Sequence, residues 1–223
     1  MNIRIASIFT KIKQKSNFKY DDIINLLHNN PSNIVEVSGV SISVADLAYN
    51  YEGVTKNKNT IEQIVNAHNE VLTHGLTKGA EMLMAIDLNT GEIVAKNYGT
   101  ENSVDWQLAS DYKGKVITIH NHSSNTTFSP ADLFTFSKEK RIAMSVIQAH
   151  NGKIFSLRKT TDLHEILDIE KMTEQFLSDI KNSGVDWKSD KTSLNHILEL
   201  YVKKSKEKYN WIYKGGDSYR NSK

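Results

Sequence analysis

Apolar positions follow two rhythms along this chain, and the change between them organises it. Ahead of residue 75 the spacing is helical. Ile23, Ile24, Leu26 and Leu27 follow two aspartates and stop at Asn29-Asn30-Pro31, which predicts a short helix over 20–29, and a short strand is expected at 34–38. Residues 43–51 and 60–73 carry helical spacing again, the second through Ile61, Ile64, Val65, His68 and Leu72, with Gly75 placed to close it. From Glu81 the pattern shifts to short apolar runs and period two. Residues 81–88, the turn Asn89-Thr90-Gly91 and residues 93–95 predict a first hairpin, and residues 143–149, the turn His150-Asn151-Gly152 and residues 154–157 predict a second. Between them an apolar strand at 115–119 runs into His120, and residues 129–140 read as a helix. Helical spacing returns through Leu163, Ile166, Leu167, Ile169, Phe176 and Ile180, and again through Leu194, Ile197, Leu198, Tyr201 and Val202, with an Asn-Ser-Gly turn at 182–184 between the two stretches.

This succession predicts an α/β (α+β) fold, a mixed central β-sheet flanked by helices, with helical extensions at both ends. Three regions follow: a mainly helical 1–76, a strand-rich 77–158, and a helical 159–223 with a basic tail. The apolar positions in the first region predict that it docks on the sheet.

Composition narrows the function classes. With 39% hydrophobic and 24% charged residues, 2 Pro and 11 Gly in 223 residues, the chain can build an ordinary core. No stretch approaches the roughly 20 apolar residues of a membrane span, and the N-terminus lacks a signal-peptide h-region, so a cytoplasmic protein is expected. The absence of cysteine excludes disulfides, thiolate metal sites and a cysteine nucleophile, so any metal site must use histidine and carboxylate. A net charge of +2 does not imply a polyanionic partner, but residues 203–223 hold seven Lys or Arg against Glu207 and Asp217. A solvated helix face accounts for that excess more simply than a nucleic-acid patch, which stays open as the alternative.

The candidate chemistry lies in Val116-Ile-Thr-Ile-His120-Asn-His122-Ser-Ser-Asn-Thr-Thr-Phe-Ser129-Pro-Ala-Asp132. Residues two apart on a strand share a face, so His120 and His122 can present their imidazoles to one ion while Asn121 points away. Asp132, ten residues after His122, is the available third ligand of a zinc site that keeps one position open for water. Ser129-Pro130-Ala131-Asp132 also has a structural reading, with Ser at the N-cap, Pro at the first helical position and Asp at N3. The two are compatible, because such a cap places Asp132 on the first turn of a helix just beyond the histidine strand.

A strand, His-x-His, a short loop and Ser-x-x-Asp at the head of a helix resemble the motif of the JAMM/MPN (JAB-like) zinc metalloprotease family, including its RadC-like branch. The resemblance extends upstream to Glu81-Met-Leu-Met-Ala-Ile-Asp-Leu, which is similar to the family's opening strand with its catalytic glutamate, and downstream through residues 146–157. It covers residues ~77 to 158, about a third of the chain. Two departures stand out: Ser123 occupies a position where many members have Pro, and six residues rather than seven separate His122 from Ser129. Shorter loops of this kind resemble phage-associated and mobile-element relatives.

The resemblance implies a cytidine-deaminase-like/JAB sheet architecture and a zinc-dependent metallopeptidase or isopeptidase acting on a peptide or protein substrate. It implies His120, His122 and Asp132 as metal ligands, Glu81 as general base and Ser129 as a hydrogen-bond donor to the oxyanion. Apart from it, Glu81 reads as a solvent-facing carboxylate at a strand start. Glu92 and Glu101 compete for its role, Asp87 reads as a turn former, His150 as a polar turn residue, and His68, His74, His164 and His196 have no motif around them. A second reading is a phage or mobile-element protein that keeps the fold for binding or assembly, with weak or absent catalysis and a basic tail touching nucleic acid. His120-Asn121-His122 is unrelated to the HNH nuclease motif, whose letters mark dispersed residues.

Overall fold

Period-two segments become strands and the helical stripes become two covering layers. The structure, a computed structural model, describes residues 34–37, 39–160, 168–186 and 189–215; the helix expected at 20–29 and positions 163, 164, 166 and 167 lie outside the described residues. A small hairpin, β1 (Ile34–Val37) and β2 (Val40–Ser43), leads into α1 (Val44–Tyr51) and α2 (Lys58–Lys78). The main sheet takes β3 (Met82–Asp87), β4 (Ile93–Tyr98), β5 (Val116–His122), β6 (Ile142–Ala149), β7 (Ile154–Lys159) and β8 (Trp211–Gly215), with α3 (Pro130–Lys138) between β5 and β6, and α4 (Ile169–Ser183) and α5 (Lys191–Tyr209) ahead of β8. Its spatial order is β4-β3-β5-β6-β7-β8. Every neighbouring pair is antiparallel except β5 and β6, which run parallel because α3 provides the crossover between them.

Alternation along the strands assigns the faces. Met82, Met84, Ile86, Ile117, Ile119, Met144 and Val146 pack with Ile64, Ala67, Val71 and Leu72 of α2. On the other face Ile147, Ala149, Phe155 and Leu157 pack with Leu133 and Phe136 of α3 and Tyr201 and Val202 of α5. Both faces being covered, β3 and β5 are buried along their whole lengths, which is why they read as apolar runs and not as alternating strands. The turns match the sequence: Gly91 and Gly152 have φ values of 76° and 88°, and Asp87 Oδ1 accepts from the amides of Asn89 and Thr90.

Two features differ from the sequence reading. Residues 211–215, expected within a helical extension, form the edge strand β8 paired with β7. Asn210, at φ 53°, ends α5 in the left-handed conformation, and the following Trp-Ile-Tyr has the bulky character of a strand, a signal obscured by the lysines on either side. Gly75, expected to close the helix over 60–73, lies inside α2, which runs on to Lys78 and ends at Gly79, at φ 63°. Helix α2 packs on one face of the sheet, as its apolar positions predict, and α5 packs on the other. No helix among the described residues is long and apolar enough to cross a membrane. Four of the basic residues have partners within the chain: Lys203 pairs with Glu199, Lys204 and Lys208 lie over the rings of Tyr201 and Tyr209, and Lys214 donates to the carbonyl of Tyr49.

His68 joins α2 to the sheet. It is fully buried, its Nδ1 lies 2.7 Å from Gln148 Oε1 and its Nε2 lies 2.8 Å from the Tyr51 hydroxyl. Burial pushes its pKa down to about 4, against the partial support of Gln148. Because the folded pKa is depressed, the unfolded chain takes up a proton below about pH 6.5 that the folded chain refuses until about pH 4. Stability is therefore lost as pH falls through that window. Urea unfolding should show a loss of about 2 kcal/mol between pH 7 and pH 5 from this group. His68→Gln should flatten that part of the slope, and an unchanged slope would show that His68 is not responsible.

Candidate metal centre

Strand β5 carries His120 and His122 on the face that looks toward α3, and Asn121 on the face toward α2, as the alternation predicts. Asn121 is pinned there: Oδ1 accepts from the Met82 amide at 2.8 Å and Nδ2 donates to the Ala80 carbonyl at 3.1 Å. Helix α2 passes so close behind it that a methyl group at Gly75 would overlap Asn121 and the His150 ring. The strand end that aims the two imidazoles is thus held from behind.

The loop from Ser123 to Phe128 brings the chain back to α3. Asn125, at φ 58°, accepts from the Asn151 amide at 2.8 Å, and the Thr127 amide donates to Asn195 Oδ1 at 2.7 Å. At its end Ser129 caps α3 in a closed capping box: the Ser129 amide and hydroxyl each donate to Asp132 Oδ2 at 2.7 Å, and the Asp132 amide donates back to Ser129 Oγ at 3.2 Å. The capping box is present, and it directs the carboxylate at the histidines, where the ligand reading needs it. Despite the short loop, Asp132 Oδ1 lies 3.4 Å from His120 Nε2 and Oδ2 lies 3.5 Å from His122 Nε2. The two Nε2 atoms are 3.1 Å apart.

These separations suit a cation. Bonds of roughly 2.0–2.1 Å to a tetrahedral zinc place neighbouring donor atoms roughly 3.3 Å apart. His122 Nδ1 lies 3.2 Å from the Thr126 carbonyl, which can only accept, so the proton sits on Nδ1 and the Nε2 lone pair faces inward. Burial pushes His122 down to about 4, which keeps the ring neutral and able to ligate. Asp132 is held well below the usual carboxylate range: burial works against the charge, but His120, His122 and the Ser129 hydroxyl outweigh it. His120 moves up; burial opposes the shift, and the neighbouring Asp132 and Glu81 overcome it. Its Nδ1 is buried with no hydrogen-bond partner among the described residues, beside a cavity of about 40 Å³ whose lining includes Thr118, Thr135 and Ser145. The negative field that favours a proton on His120 also favours a divalent cation, and His120, His122 and Asp132 form a group able to hold a metal ion.

Glu81, just ahead of β3, is buried at 7% exposure, and burial pushes its carboxyl up to about 7, with His120 opposing and Asp132 adding to the shift. It is not the solvent-facing carboxylate that a strand start alone implies. Glu92 and Glu101 are exposed. His150 stays a turn residue, its Nε2 3.0 Å from Asn121 Nδ2.

Glu81, His122, Ser129 and Asp132 open into one cleft of about 510 Å³, which also meets α4 and α5. Asn195 and Tyr213, whose hydroxyl lies 3.1 Å from Thr127 Oγ1, secure the loop from Ser123 to Phe128 from the C-terminal elements. Neither position carries a sequence signal, because each is recognisable only by what it touches across more than sixty residues. No family model, curated protein or solved structure matches the chain.

Proposed function

We propose that this chain is a zinc-dependent hydrolase of the JAMM/JAB type, cleaving a peptide, isopeptide or related amide bond on a sheet of the cytidine-deaminase-like/JAB architecture. The observation that carries the reading is the convergence of His120, His122 and Asp132 within one donor set, with the buried carboxyl of Glu81 opening into the same cleft. His120 Nε2, His122 Nε2 and an Asp132 oxygen would hold the metal. What zinc supplies in a two-histidine, one-carboxylate site is a pKa of about 7 for its water and polarisation of a carbonyl.

The chain's own residues do the rest. Glu81 takes the proton from the attacking water and returns it to the leaving amine; a carboxyl already raised toward neutrality by burial is suited to both transfers. Ser129 stands beside the reacting centre with its hydroxyl proton on Asp132 Oδ2, and turning that proton toward the substrate oxygen would stabilise the developing negative charge. The Ser129 amide still holds Asp132 Oδ2 when the hydroxyl turns away.

Protein purified without chelator should contain about one zinc per chain. Dipicolinate should abolish hydrolysis of peptide amides, and added zinc should restore it. Protein that neither retains zinc nor binds it on titration would defeat the proposal. Stoichiometric zinc without hydrolysis of any amide would leave only a binding role.

A further inference from the structure

The lining of the cleft at the candidate centre joins Glu81, His122 and Asp132 to an apolar set from α4 and α5: Phe176, Leu177, Ile180, Leu194 and Leu198. Ile180, Leu194 and Leu198 are mostly buried in the contact between these two helices and turn only their edges to the cleft, whereas Leu177 is 59% exposed. A single exposed leucine is ordinary on a protein surface. Leu177 differs in position, since it lines the same cleft as Glu81, His122 and Asp132. Trp106 lines the same space from the loop after β4. Among the described residues the ionisable side chains of the lining are Glu81, Asp105, His122 and Asp132, with no lysine or arginine.

We infer that the α4–α5 wall is a specificity site for a bulky, uncharged apolar residue flanking the scissile amide of a peptide substrate. This rests on the hydrolase reading and adds the class of substrate to it. A space of about 510 Å³ accommodates a short peptide segment and not a single side chain, and walls of aromatic and aliphatic groups reward apolar atoms. Continuity with Glu81, His122 and Asp132 makes the substrate the fitting occupant, in preference to a second copy of the chain.

Three blocked hexapeptides, identical except for a central Leu-Phe, Ser-Ser or Asp-Asp pair, test this. Binding is measured by calorimetry on zinc-loaded Glu81→Gln protein, so that turnover plays no part. The Leu-Phe peptide should bind on the order of 10 to 100-fold more tightly than Ser-Ser or Asp-Asp. Leu177→Asp in the same background should remove most of that difference, and the exposure of Leu177 leaves the fold intact. Equal binding of all three peptides, or an unchanged preference in Leu177→Asp, overturns the inference. So does a sedimentation experiment in which Leu177→Asp converts a dimer to a monomer, since a second copy would then cover the wall. Wild-type protein separates the two ideas: preference without hydrolysis ends the hydrolase reading and leaves the site standing. Hydrolysis of all three at equal kcat/KM ends the site and leaves the hydrolase.

Discussion

Asp132→Ala and His122→Ala should each abolish stoichiometric zinc binding. A folded structural zinc site is worth about 10–16 kcal/mol over four ligands, so removing one costs roughly 3 kcal/mol, a loss of at least about 100-fold in affinity. Asp132 also closes the capping box of α3, and its removal should cost about 1 kcal/mol of stability besides. Asp132→Asn separates the two roles. Its carbonyl oxygen can still accept from the Ser129 amide, so the cap and the melting temperature should be largely kept, while the lost charge should weaken the metal. Zinc content by mass spectrometry, together with thermal melts of the three variants, reads both effects. If Asp132→Asn and His122→Ala hold zinc as tightly as the parent, the three side chains are a capped helix beside two histidines and nothing more.

Glu81→Gln should retain zinc and lose roughly 10²–10⁴-fold in kcat, the range that general acid–base groups supply. The amide has nearly the shape of the carboxyl and cannot take the water's proton. The pH profile gives a second readout. Glu81 acts as a base only when ionised, so kcat/KM should rise with pH on the acid side, and burial sets the limb above the ordinary carboxyl value, toward about 7. A neighbouring dication favours the ionised form and draws the limb lower. That limb should be missing in the Gln variant. Metal retention with unaltered turnover and an unaltered acid limb would assign the base elsewhere.

Legibility differed between elements for physical reasons. Period is a local property, so both hairpins, the histidine strand and the helix after Ser129 could be read to within a few residues; β3, β5 and β6 occupy the expected stretches, and α3 starts at Pro130, directly after the expected cap. Strand β8 was missed because five residues beside a lysine-rich helix carry little periodic signal, and their pairing with β7 lies some fifty residues away in sequence. The roles of Asn195 and Tyr213 were silent for the same reason. Glu81 shows the limit most clearly. Its neighbours in sequence allow either a solvated or a buried carboxylate; its backbone pairs with Gly99 and Thr100, and its carboxyl feels the charges of His120 and Asp132, none of which adjoins it in the chain.

The sequence by itself determined the donor chemistry and its local geometry. A chain without cysteine leaves histidine and carboxylate, a strand puts residues two apart on one face, and Ser-Pro-x-Asp caps a helix; each follows from backbone stereochemistry within a few residues. Tertiary structure alone decided that Asp132 comes within 3.5 Å of both imidazoles, that Glu81 is buried in the same cleft, and that α4 and α5 form its apolar wall. Distances between separate elements are set by packing over the whole core, where many weak contacts sum, and no short window of sequence contains that sum.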